Sequence, residues 1–183
     1  MDKRIDLLQA GAVIDPTGTY RYHLTRSPDP GRGGRVTWIM LNPSTADAQM
    51  DDPTLRRCLG FCRAWGYGAL EVVNLFALRT SHPWELFNHP QPIGPENDAY
   101  LRQVIKDAEL VVAAWGSHGC HLGRANTVRH MLAQLHPNTL CLGLTKPGEP
   151  LHPLYIPGET RLIPLPISPF PRPSGAKVVA GLR

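Results

Sequence analysis

The sequence predicts an α/β fold: a three-layer sandwich around a central, mainly parallel four-stranded sheet, preceded by an N-terminal β-hairpin. Two observations carry this expectation. Short apolar runs of strand length alternate with segments of helical patterning, and alternation at that spacing means right-handed crossovers with helices on both faces of a parallel sheet. The 183 residues also include 19 Pro and 17 Gly, which favours many tight turns and argues against a helical bundle, since Pro inside a helix costs about 3 kcal/mol.

Each element has a local reason. Val13-Ile14 and Thr19-Tyr20-Arg21-Tyr22 flank Asp15-Pro16-Thr17-Gly18, where Pro presets φ and Gly allows positive φ, so residues 12–24 read as the hairpin. Ser27 to Arg35 is a loop on its Pro and Gly content. Val36 to Leu41 is a buried strand that stops at Asn42-Pro43. Asp52 is placed to cap a helix whose first residue is Pro53. Leu55, Cys58, Leu59 and Cys62 then fall on one helical face, and Gly66 and Gly68 end it. Residues 70–75 are the second strand, 95–108 the second helix and 110–115 the third strand, closed by Gly116. Residues 123–135 are the third helix and 140–144 the fourth strand, with a last short strand at 162–165.

The length accommodates one domain, residues 1–183, with its core at about 12–166 and a C-terminal tail at 167–183. No apolar stretch is long enough to span a bilayer, and the charged N-terminus lacks the apolar centre of a secretion signal. Four scattered cysteines do not make a disulfide framework. A reduced, cytoplasmic, monomeric protein is expected. The net charge of +4 is compatible with a polyanionic partner such as DNA or a nucleotide.

In an open parallel sheet, ligands bind beyond the carboxyl ends of the strands. The four predicted strands are followed by Asn42-Pro43-Ser44-Thr45-Ala46-Asp47, by Asn74-Leu75-Phe76 with Arg79-Thr80 after it, by Gly116-Ser117-His118-Gly119, and by Thr145-Lys146 leading to His152-Pro153. Polar side chains beside Gly or Pro at all four ends point to one cleft. Each has a plainer reading: Asn42-Pro43 as a turn, Asn74 as a loop tie, His152 as a turn cap, and Ser117 and His118 as loop surface. Asn74 is the hardest to explain away, because a buried amide left unpaired costs about 1–3 kcal/mol.

Other chemistries are not supported. Gly31-Arg32-Gly33-Gly34 precedes the first strand, so it is no dinucleotide fingerprint, and neither a phosphate loop nor a Gly-x-Ser-x-Gly elbow occurs. Cys58, Cys62, Cys120 and Cys141 are read as packing residues in preference to an iron–sulfur set. His118, Cys120 and His121 match a zinc site only loosely. No metal or cofactor is expected.

The strand-end residues resemble motifs of the uracil-DNA glycosylase superfamily. Val36 to Ser44 is similar to its first motif, which in the mismatch-specific branch reads Gly-Ile-Asn-Pro-Gly. Val72-Val73-Asn74 looks like its second strand, Ala114-Trp115-Gly116 like its Leu-Trp-Gly strand, and His152-Pro153-Leu154 falls where its His-Pro-Ser loop belongs. Ser44 and Leu154 depart from the pattern, and Leu154 replaces a Ser that helps clamp DNA phosphate. The strings LNPSTAD, DDPTLRR, WGYG, VVNLFALR, AWGSHG and LTKPGEPLHPLY, within residues 20–165, together resemble a bacterial and phage family described only as a domain of unknown function.

The glycosylase resemblance implies a DNA glycosylase that flips a base, expected to be a modified one, into the cleft and hydrolyses its N-glycosidic bond, in DNA repair or phage defence. Asn42 would orient the attacking water and His152 would donate to the departing base. Asn74 would read the base edge, within a pocket formed by Pro43, Ser44, Asp47, Phe76, Ser117 and His118. Arg56, Arg57, Arg79 and Lys146 would meet the DNA backbone. The alternatives are an enzyme acting on free nucleotides or nucleosides and a non-catalytic module that binds nucleic acid or a base.

Overall fold

In the computed structural model, which describes residues 11–44 and 51–167, one mixed sheet runs through the molecule. Its strands are β1 (Gly11–Ile14), β2 (Arg21–Arg26), β3 (Arg35–Met40), β4 (Ala69–Asn74), β5 (Leu110–Ala113), β6 (Leu140–Cys141) and β7 (Ile163–Pro164), in the spatial order β1-β2-β4-β3-β5-β6-β7. The expected parallel strands are the contiguous block β4-β3-β5-β6. The expectation of a mainly parallel four-stranded sheet is nevertheless corrected to a seven-stranded mixed one. The hairpin β1-β2 does not stand apart but pairs antiparallel with β4 through Leu24↔Val72, Thr25↔Glu71 and Arg26↔Leu70, and β7 closes the other edge antiparallel to β6.

The physical reason lies in β2. Its polar residues Arg21, His23, Thr25 and Arg26 are all buried. Longer-range partners make that burial tolerable. His23 Nε2 lies 3.1 Å from Glu71 Oε2, Thr37 Oγ1 donates to Glu71 Oε1 at 2.6 Å, and Arg35 adds a guanidinium at 3.5 Å. Burial alone would push the Glu71 carboxyl up. The bonds from His23 and Thr37 and the charges of His23 and Arg35 outweigh it and hold the carboxyl below its ordinary value. The stability this gives is fully present above the unfolded-state glutamate pKa and is lost as pH falls through the lowered native value. Urea midpoints are therefore expected to fall more steeply between about pH 5 and pH 3 in the wild type than in Glu71→Gln.

Helices cover both faces. Helix α1 (Pro53–Ala64) packs Leu55, Cys58, Leu59, Phe61 and Cys62 against Val36, Trp38, Met40 and Val72. Its start is as the sequence predicts: Asp52 is the cap, accepting from Leu55 N at 2.7 Å, and Pro53 opens the first turn. On the opposite face lie α2 (Pro83–Asn88), α3 (Asn97–Lys106) and α4 (Arg124–Leu135), with Leu86, Leu101, Val104, Ile105, Val128 and Leu132 packed on Ile39, Val73, Val111 and Ala113. The short α2 is not anticipated, because its six residues are too few for a helical period to show.

The cysteines divide between these layers. Cys58 and Cys62 sit in the α1-side core, Cys141 sits in the opposite one, and Cys120 is exposed. Burial pushes the Cys58 thiol up and the Cys62 thiol up to about 11, so both stay protonated. No group of three or more His, Cys, Asp or Glu side chains gathers as metal ligands among the described residues. No helix among them is long and apolar enough to cross a membrane.

Candidate functional site

Strand order locates the site. From β3 the chain crosses by α1 to β4, then returns past β3 on the other face by α3 to reach β5. Crossovers that leave in opposite directions open a crevice at the carboxyl ends of the central strands. A cleft of about 310 Å³ lies there. Asn42 and Ser44 after β3, Asn74 at the end of β4, Gly116, Ser117 and His118 after β5, and His152 from the segment beyond β6 all line it. These six strand-end residues and Gly116 are thus brought to one place.

Asn74 is 1% exposed. The β3–β4 register sets it opposite Met40, another cleft residue. Its backbone carbonyl accepts from Asn97 Nδ2 at 3.0 Å, which fixes the strand end, but its own Nδ2 has no hydrogen-bond partner among the described residues. A buried amide donor without an acceptor costs about 1–3 kcal/mol. Here it borders a cleft where a ligand can supply the acceptor.

Asn42 is oriented from behind. Its Nδ2 donates to the carbonyls of Pro43, Leu78 and Thr80, at 3.0, 3.4 and 2.8 Å. Three carbonyl acceptors identify that end as the amino group, so Oδ1 is turned the other way as an acceptor. Pro43 is buried; its carbonyl also accepts from Thr80 N at 2.9 Å, and Ser44 Oγ meets Ser81 Oγ at 3.2 Å. These bonds tie the 42–44 and 78–81 segments together along one wall.

His152 stands over the end of β5. Gly116 has φ +72°, and a Cβ built there would lie 3.6 Å from the His152 Cβ. The positive φ is what calls for glycine here, since the 3.6 Å separation is an ordinary contact distance. His152 Nδ1 accepts from Leu154 N at 3.4 Å, which leaves the neutral ring's proton on Nε2 as a donor. Burial holds the imidazole below the ordinary histidine value, against the opposing charge of Asp52. The ring is therefore neutral at pH 7.

A buried ion pair holds this wall. Glu149 Oε2 accepts from Trp115 Nε1 at 2.6 Å, and Arg129 reaches both Glu149 oxygens at 3.1 Å and the Gly148 carbonyl at 2.9 Å. The Arg129 guanidinium also lies 5.3 Å from the centre of the Trp115 ring. Trp115 lines the cleft, and Pro150 beyond Glu149 accepts from Gly116 N at 2.9 Å. One carboxylate thus joins α4, the end of β5 and the segment that carries His152.

Other expected residues fall elsewhere. Phe76, expected in the pocket, is fully buried in the core on the α2–α4 face, because β4 ends at Asn74 and the chain bends at Leu75, so the alternation of the strand no longer places it beside Asn74. Arg57, expected on DNA, donates to the Ile156 carbonyl and lies over the Phe61 ring. Arg79, expected likewise, donates to the Gly18 carbonyl at 3.0 Å. Both brace neighbouring segments. Arg56 and Lys146 are exposed. Asp47 lies outside the described residues.

The structure adds residues that the sequence does not single out for chemistry: Asp52 and Thr54 at the start of α1, Thr80, Ser81, and Arg21 from β2. Arg21 owes its place to a β-bulge, where the register steps from Val13↔His23 to Ile14↔Arg21. The extra residue breaks alternation, so Arg21 and Leu24 both line the cleft while Tyr22 stacks on Tyr100. The turn residues before β2 could signal a hairpin but not this bulge.

No curated protein and no solved structure matches the chain. A family model does match, over residues 21–154, which include every cleft residue named above. The chain belongs to that family, the proteins of unknown function designated DUF1643.

Proposed function

We propose that the cleft binds a nucleobase and that the protein hydrolyses the N-glycosidic bond of a nucleotide flipped out of DNA. The observation that carries this reading is Asn74, a fully buried amide whose donor is unpaired among the described residues, beside a cleft of about 310 Å³. Asn74 reads the edge of the base. Asn42 Oδ1 orients the attacking water, and His152 Nε2–H donates to the departing base anion, a preorganised contact worth about 3–4 kcal/mol. A neutral imidazole can fill that role, since with Nδ1 accepting from Leu154 N its one N–H is on Nε2. The Asn-Pro and His-Pro segments at the strand ends are the basis for a distant likeness to the uracil-DNA glycosylase superfamily.

Exposed aromatic rings support DNA as the carrier of the base. Trp84 follows the cleft residue Ser81 and is 63% exposed; Tyr155 follows His152 and is 87% exposed. Phe87 packs edge-on against His118 of the cleft. Bases beside the flipped one can stack on such faces, each contact worth about 1–3 kcal/mol. Lys146, and Arg56 although one of its guanidinium nitrogens donates to the Asp51 carbonyl at 2.6 Å, are exposed cations for phosphates. Excision of a modified base, in repair or in defence against DNA carrying it, is the proposed role of a monomeric cytoplasmic protein.

Hydrolysis of a free nucleoside or nucleotide is the second reading. It is favoured by the engagement of Arg57 and Arg79 with backbone carbonyls, which removes two expected phosphate contacts. Salt separates the two. DNA affinity should fall steeply between about 50 and 200 mM salt, whereas affinity for an uncharged nucleoside should hardly change. In single-turnover base release from modified-base DNA, Asn42→Ala is expected to lower the rate by about 100-fold. A wild-type rate in that variant would remove Asn42 from the mechanism.

A further inference from the structure

We infer that Asp52 is the general base of this site, taking the proton from the water that attacks C1′. The inference rests on the glycosidic-bond reading above and adds to it the proton acceptor that Asn42 cannot be, since an amide only orients water.

The two neighbouring aspartates have different surroundings. Asp51 is engaged by Arg26, whose Nε lies 2.7 Å from Oδ1. Asp52 borders the cleft, at the start of α1, together with Asn42, Asn74 and His152. Its Oδ1 accepts from Leu55 N at 2.7 Å and fixes the carboxylate, while Oδ2 has no hydrogen-bond partner among the described residues. Asn74, buried and unpaired on the same cleft, is the independent sign that a ligand enters here. The other ionisable groups facing this space are Arg21 from β2, His118 after β5 and His152. Asp52 is the one carboxylate among the described residues that line it.

The reaction then balances as a hydrolysis. Water forms a bond from its oxygen to C1′ and gives a proton to the Asp52 carboxylate. The C1′–N bond breaks, and its electron pair leaves on the base. The base anion is held by His152 Nε2–H and Asn74 Nδ2–H until the proton on Asp52 passes to it through solvent. The products are the free base and a sugar bearing a hydroxyl at C1′.

Capping and catalysis can be separated, because Asn and Ser cap helices about as well as Asp but carry no charge. Asp52→Asn and Asp52→Ser are expected to fold with the wild-type urea midpoint and to bind modified-base DNA with unchanged affinity. Base release should fall by about 100-fold or more, the usual contribution of a general base. Added formate should restore part of the rate in Asp52→Ser, where the shorter side chain leaves room for it; a lost cap would not be restored. If both variants release base within threefold of the wild-type rate, Asp52 is a cap alone and the proposal fails while the glycosidic reading stands. If the rate falls but formate restores none of it, the base assignment is overturned as well. If wild type releases no base from any DNA offered, the glycosidic reading fails and this inference fails with it.

Discussion

Glu149→Ala is expected to lower the unfolding free energy by about 3–5 kcal/mol, the largest single loss outside the apolar core. The substitution does more than delete a contact. Arg129 is 1% exposed, and without Glu149 its charge stays buried and loses its carboxylate. Trp115 Nε1, which donates to Glu149 at 2.6 Å, loses its acceptor as well. An uncompensated buried charge is what makes breaking such a pair costly, whereas replacing both partners by apolar groups can be nearly neutral. Glu149→Leu combined with Arg129→Met should therefore recover much of the loss. Urea unfolding at pH 7 gives both numbers. The single variant should also lose base release, because Glu149 fixes Trp115 and the segment leading to His152. A Glu149→Ala loss below about 1 kcal/mol would show that the pair holds neither.

Asn74→Leu is expected to separate stability from function in the opposite direction. Leucine has the same branching and heavy-atom count as asparagine and needs no hydrogen-bond partner. Removing a buried, unpaired donor should raise the unfolding free energy by about 1 kcal/mol or leave it unchanged. Base release should fall by at least about 100-fold, since a site built to hydrogen-bond its ligand fails when that group is gone. Most buried substitutions lose stability and activity together. A variant that gains the first while losing the second marks a residue retained for its ligand. Loss of several kcal/mol in Asn74→Leu would instead identify the amide as structural.

These effects trace back to what a sequence can and cannot display. The parallel block and the residues after its strands were legible because they rest on local signals: apolar runs ending at Asn42-Pro43, Asn74 and Gly116, and an Asp-Pro pair that opens α1. Topology then brings Asn42, Asn74, Ser117, His118 and His152 to one cleft. The addition of β2 to the sheet was not legible, because Arg21 and His23 look solvent-facing until Glu71 and Thr37 are placed beside them. The same holds for Glu149, Arg129 and Trp115, which meet only in three dimensions. Phe76 looked like a pocket residue because two steps along an extended chain return to the face of Asn74, but the strand ends at Asn74 and the bend at Leu75 turns Phe76 into the opposite core. Asp52 was legible as a cap and not as a cleft residue, since its second surrounding comes from the segment bearing His152.

Base release from modified-base oligonucleotides under single-turnover conditions reads the chemistry of this cleft directly. Wild-type protein is predicted to convert at least one such DNA to free base and an abasic site, and Asn74→Leu, folded and at least as stable, to do so at least about 100-fold more slowly. Wild-type protein that leaves every modified base attached, or Asn74→Leu that releases base at the wild-type rate, would contradict the assignment of the cleft as a base-excision site.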